Sequence, residues 1–226
     1  MTIQRIAVIA VLLCVAGQCA GVEVPAIGGS NFSVPVTSMK ALKFQSTLRQ
    51  QYDFSCGSAA VATLLTHHYG RRVSEQFVFE KMFAHGDQPT IRREGFSLLD
   101  IKRFLASQGF NADGFKLPLQ KLIDAKLPAI VLVAEKGYHH FVVIKGAASG
   151  RILIGDPAGG TRSLSRAAFE QIWTSKLLFV IHGSAQTPAF NRLADWRAAP
   201  SAPLSTGINR DGLGAVTMSK HGPGDY

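Results

Sequence analysis

The chain has 226 residues, enough for one domain with a sizeable core and short for two. Its 46% hydrophobic content places it with ordinary globular proteins. The formal net charge of +9 is scattered, with few doublets such as Arg71-Arg72 and Arg92-Arg93 and no aromatic residues interleaved with these, so it reads as a solvated basic surface and argues against a nucleic-acid site.

Arg5 followed by an apolar run at residues 6–16 predicts a cleaved signal peptide over residues 1–20. That run is shorter than the ~20 residues a membrane-spanning helix needs, so export without stable membrane insertion is expected. Gln18, directly before Cys19, argues against a lipid attachment site. Residues 21–40, rich in Val, Pro, Gly and Ser, read as an extended lead-in containing Gly28-Gly29. A compact domain is expected over residues 41–183.

An alanine-rich, nearly all-apolar helix begins at Cys56, capped by Asp53 or Ser55, and ends near Tyr69 with Gly70 as the stop. A second helix is predicted over residues 74–85. Ser97-Leu98-Leu99-Asp100 has capping-box spacing and starts a third, ended by Gly109. A shorter helix is expected over 118–126. The pattern then turns β-branched, and residues 129–134, 140–147 and 151–156 read as antiparallel strands, the last two flanking a loop at Ser149-Gly150. A helix over 165–174 and a strand over 177–181 complete the domain. Helices first and strands second indicate an α+β fold. Residues 184–226, rich in Ala, Pro, Gly, Ser and Thr, read as a mobile tail with one short helix within 192–199.

The chemistry centres on Cys56. Cys14 and Cys19 fall inside or at the edge of the signal segment, so the mature chain keeps one cysteine, which is either buried and inert or exposed and reactive. The first turn of a helix is expected to lower its pKa. Gly57 beside it is expected to give a substrate backbone room to approach. Such a nucleophile needs an imidazole and a group to steady it. His67 and His68 lie about three turns from the thiol, too far to act on it. His85, His182 and His221 fall in loops or at the domain edge. His139 and His140 remain, on opposite faces of one strand, and periodicity does not choose between them. Asp156, ending the neighbouring strand, is placed to accept a histidine Nδ1–H, although Asp-Pro is also a common strand exit. Gln50 and the Cys56 backbone N–H are candidate donors to an oxyanion. No Cys pair has zinc-ligand spacing, and neither a His-Glu-x-x-His motif nor a phosphate or dinucleotide loop is present, so no metal and no cofactor is expected.

In order, Gln50, Ser55-Cys56-Gly57, Gly95-Phe96-Ser97-Leu98-Leu99, Leu127-Pro128-Ala129-Ile130, His140-Phe141-Val142-Val143 and Asp156-Pro157 resemble the motifs of the bacteriocin-processing, or double-glycine, peptidases. These are a branch of the papain-like cysteine proteases, and the resemblance spans residues 42–181. It implies a papain-like fold, with the Cys56 helix in a helical half packed on an antiparallel sheet. It implies Cys56 as nucleophile, His140 as general base and acid, Asp156 as its orienter and Gln50 as oxyanion donor. It also implies cleavage after Gly-Gly. The usual arrangement is the cytoplasmic part of an ATP-driven exporter. With its signal segment, this chain is more similar to the stand-alone exported peptidases of bacterial functional-amyloid secretion. That similarity implies a periplasmic cysteine peptidase acting on a secreted or fibre-forming protein, or on its export machinery, and Gly28-Gly29 offers a place for self-processing. Two other readings keep the same cleft: a peptide-binding adaptor or chaperone without catalysis, and acyl transfer to an amine by the same residues.

Overall fold

The computed structural model describes residues 21–25, 31–135 and 137–201. The expected signal peptide, Gly28-Gly29 and His221 lie outside them. The lead-in is extended, as its composition suggests, but is paired with itself: β1 (Gly21–Pro25) and β2 (Asn31–Pro35) form an antiparallel hairpin. It forms a unit separate from the body that begins at Met39.

That body opens with α1 (Met39–Phe44) and then α2 (Cys56–Thr63), every residue of which is buried. The run Ala59-Ala60-Val61-Ala62 presents little side-chain bulk, so neighbours pack closely on all sides of the helix. The helix continues through Leu64–His68 as a wider turn, in which the Tyr69 N–H donates to the Leu64 carbonyl, and Gly70 at φ +65° stops it. Ser55 holds the N-cap position without the expected side-chain cap, because its Oγ is engaged by Tyr52, whose N–H it accepts and to whose carbonyl it donates. α3 (Glu75–His85) is capped by Ser74, and α5 (Leu98–Ser107) starts at the capping box of Ser97 and Asp100. Between them lies α4 (Gln88–Glu94), capped by Asp87, which hydrophobic periodicity did not signal.

The sheet has six antiparallel strands. β3 (Asn111–Phe115) is one edge; then come β8 (Leu178–His182), β4 (Ala129–Glu135), β5 (Tyr138–Ala148), β6 (Arg151–Asp156) and β7 (Gly160–Ser165). The helices α6 (Leu119–Ala125) and α7 (Arg166–Ile172) lie between strands in sequence. One face of the sheet, through Ile130, Phe141, Val143, Phe179 and Ile181, packs with α2, α3 and α5. The other, through Val131, Val142, Ile144 and Ile154, packs with Leu122, Phe169 and Trp173. Each large apolar side chain fully buried here is worth about 1.5–3 kcal/mol of transfer free energy. The continuous apolar runs of β4 and β5 follow from this two-sided burial.

The segment read as a mobile tail is docked as far as Ala199, whose carbonyl accepts from Arg151. The Ala189 N–H donates to the His68 carbonyl and the Asn191 N–H to that of Lys145. Lys145 is the extra residue of a bulge in β5, and its buried ammonium lies 3.5 Å from Asp195 of α8 (Leu193–Trp196). Composition missed this because the docking rests on scattered polar contacts and isolated apolar ones such as Phe190, with no apolar period.

Candidate active site

Cys56 stands at the first turn of α2, 6% exposed, and lines a cleft of about 520 Å³. His139, His140, Phe141, Phe96 and Leu132 also line that cleft. The backbone N–H groups of Phe141, Gly57 and Cys56 itself act electrostatically on the thiol. The expected lowering of its pKa is present as a contribution but does not prevail. Burial is the largest influence and pushes the thiol up, the three N–H groups pull it down, and the charge of Asp156 adds to the rise. Gly57 also differs from expectation. It is buried, and a Cβ there would stand 3.0 Å from Phe96 Cβ and 3.5 Å from Phe141 Cδ2. Its lack of a side chain lets α2 approach the loop before α5 and the strand carrying His140, and leaves no opening for a substrate.

The structure separates the two histidines that periodicity left equivalent. His139 is exposed, whereas His140 is 8% exposed and stands 3.3 Å from Asp156. Pairing of Val143 with Gly155 brings these two residues together across the β5–β6 hairpin. The nitrogen facing Asp156 Oδ2 is Nε2, and the expected Nδ1 contact is not made; Nδ1 is buried and makes no hydrogen bond. The position of the ring on its strand decides this, and no sequence pattern encodes it. His68, by contrast, is buried near the far end of the helix with Nδ1 2.6 Å from the Ala189 carbonyl.

Asp156 is held from both sides. Its Oδ1 accepts the N–H groups of Ala158 at 2.9 Å and Gly159 at 3.2 Å, and its Oδ2 accepts from Arg162 Nε at 3.3 Å as well as facing His140. Burial alone raises the carboxyl, but the hydrogen bond and charge of His140 and the two backbone N–H groups overcome it and hold the carboxyl at about 2. Arg162 also grips Glu135 through both terminal nitrogens. Ligand atoms of Glu135, His140 and Asp156 lie within 4.8 Å of one another, a grouping that could hold a cation, but the Arg162 guanidinium already bonds both carboxylates. Sequence reasoning missed Arg162, because β7 lacks the β-branched signature of a strand.

Tyr138 was also missed. Its ring stacks on that of His140, with centroids 5.7 Å apart at 26°, and its hydroxyl donates to the Asp53 carbonyl at 2.8 Å. The two-residue spacing on one strand was the available signal. Gln50 sits beside these groups through its backbone, whose N–H donates to the Pro157 carbonyl at 3.2 Å. Its side-chain amide donates to the carbonyls of Tyr52 and Asp53, at 3.1 and 3.4 Å.

The sequence matches the model of the peptidase C39 family over residues 45–185. It is 39% identical over 190 residues to a probable functional amyloid protease FapD of Pseudomonas fluorescens, covering 84% of this chain and 80% of that one. The corresponding protein of Pseudomonas aeruginosa is 38% identical over 165 residues, 73% of each chain. Among solved structures, the peptidase domain of Streptococcus ComA, a bi-functional ABC transporter involved in a quorum sensing pathway, superposes with a TM-score of 0.50 at 25% identity. The match covers 60% of this chain and 96% of that domain. The fold, a helical half on an antiparallel sheet, is the papain-like one of such peptidase domains.

Proposed function

This chain belongs to the peptidase C39 family and is a cysteine peptidase, and from that premise we propose that Cys56 is its nucleophile and His140 its general base and acid. The observation that carries this reading is a single cleft holding the thiol of α2 and an imidazole whose Nε2 is taken by Asp156. His140 Nδ1, the nitrogen left without a partner, receives the thiol proton as the sulfur attacks the scissile carbonyl carbon. A C–S bond forms and the carbonyl π electrons move to oxygen. The Cys56 N–H steadies that oxyanion, joined by the Gln50 amide once it turns away from Tyr52 and Asp53. Collapse breaks the C–N bond, and the imidazolium gives its proton to the departing amine. Water then adds to the acyl-enzyme while His140 takes its proton, and the acid product leaves with the thiol restored. Asp156, charged at neutral pH, holds the ring and stabilises the transient imidazolium.

The substrate is a secreted or fibre-forming protein or a component of its export system, cut after Gly-Gly in the periplasm. The signal-like N-terminus supports the location, and the names of the two Pseudomonas relatives support the substrate class. Phe96, Phe141 and Leu132 line the cleft beside Cys56, and their bulk suits residues without side chains before the scissile bond. The test is mass spectrometry of periplasmic and secreted proteins from cells carrying wild-type enzyme or Cys56→Ala. One or more new termini after Gly-Gly should vanish in the variant, and a variant that still processes them would overturn the mechanism.

A further inference from the structure

We propose that Tyr138 is a positioning residue that clasps the segment leading into the cysteine helix to the histidine-bearing strand and so fixes the spacing between Cys56 and His140. The inference rests on the reading of Cys56 and His140 given above. The nucleophile and the base belong to different layers of the fold, Cys56 to the helical half and His140 to β5 of the sheet. Tyr138 spans them. Its ring lies nearly parallel to the His140 imidazole and offset from it, with centroids 5.7 Å apart at 26°. Its hydroxyl donates to the Asp53 carbonyl, which lies two residues before the N-cap residue Ser55 of the Cys56 helix.

Three features separate this from an ordinary surface aromatic. Tyr138 is 53% exposed, so burial does not account for its position. It follows the β4–β5 turn at Gly137, φ +79°, at the hairpin end, where a strand frays unless something ties it. And the tie reaches the segment just before the nucleophile's helix, 85 residues away in sequence. Asp156 holds the imidazole by one edge only, and the offset-stacked phenol gives the ring a second contact.

The test uses iodoacetamide, a reagent small enough to need no substrate subsite, and measures the second-order rate of Cys56 alkylation at neutral pH. Tyr138→Phe keeps the stack and loses the clasp; it is expected to slow alkylation about 2- to 10-fold, the equilibrium worth of one hydrogen bond. Tyr138→Ala loses both and is expected to slow it about 10- to 100-fold, the range for displacing a reacting group by around an ångström. Circular dichroism and melting curves near those of the wild type establish that the fold is kept, as the exposure of the side chain leads one to expect. Either variant reacting at the wild-type rate overturns the clasp. His140→Ala tests the underlying reading separately. If it alkylates as fast as the wild type, the assignment of His140 is wrong; if it is slow while the Tyr138 variants are fast, only the clasp is wrong.

Discussion

Gly57→Ala tests how closely α2 must approach its neighbours for the site to form. An added Cβ would meet Phe96 Cβ at 3.0 Å, well inside ordinary contact, and Phe141 Cδ2 at 3.5 Å. The near atom is the Cβ of Phe96, fixed to its backbone, so no flexible side-chain end can swing aside. Relief has to come from moving α2 by several tenths of an ångström away from the loop before α5 or from β5. Overpacking of this kind costs about 1–3 kcal/mol. Replacing glycine by alanine within a helix returns about 1 kcal/mol. The net expectation is a loss of roughly 1 kcal/mol, seen as a melting temperature about 2–4 °C lower. Because Cys56 is the adjacent residue, the same shift separates its sulfur from His140, and cleavage of a fluorogenic Gly-Gly peptide should fall further than stability does. Thermal melts and initial rates on the same preparations measure both. A Gly57→Ala protein that melts at or above the wild-type temperature with an unchanged rate would refute the packing argument and return Gly57 to the role of substrate clearance.

Two further outcomes follow from the charges around Asp156. Its carboxyl, held at about 2 against an ordinary 3.8, contributes stability that is fully present above pH 3.8 and is lost as pH falls toward 2. That contribution is roughly 2 kcal/mol at most, so Asp156→Asn should flatten the acid end of the stability–pH curve; a curve with the wild-type slope between pH 4 and 2 would contradict it. Arg162→Met leaves the Glu135 and Asp156 carboxylates facing each other and should lower stability by about 2 kcal/mol, the scale of hydrogen bonds to charged groups. Adding Glu135→Gln should then recover part of the loss, and strictly additive losses in denaturant titrations would show that Arg162 does not act by holding the two apart.

The order of chemistry along the chain was legible in the amino acids. The alanine-rich helix opened by Cys56, the capping box at Ser97, the β-branched strands and Asp156 at a strand end each follow from local rules of propensity, capping and periodicity, and together they pointed to a helical half on an antiparallel sheet. Elements held only by distant partners were not legible. β3 is Asn-Ala-Asp-Gly-Phe, a poor strand by composition, and exists because β8 offers it an edge; β7 and the docked residues up to 199 depend likewise on β6, Lys145, His68 and Arg151. The site divides the same way. Sequence supplied a thiol, two candidate imidazoles and a carboxylate. Folding buried His140 and left His139 exposed, turned Nε2 toward Asp156, placed Arg162 between two carboxylates and set Tyr138 beside the ring. Local sequence sets which groups a segment can offer, since backbone preference acts over a few residues. Which atoms of those groups meet depends on strand register, sheet twist and the approach of one layer to another, and these exist only once the whole chain has packed.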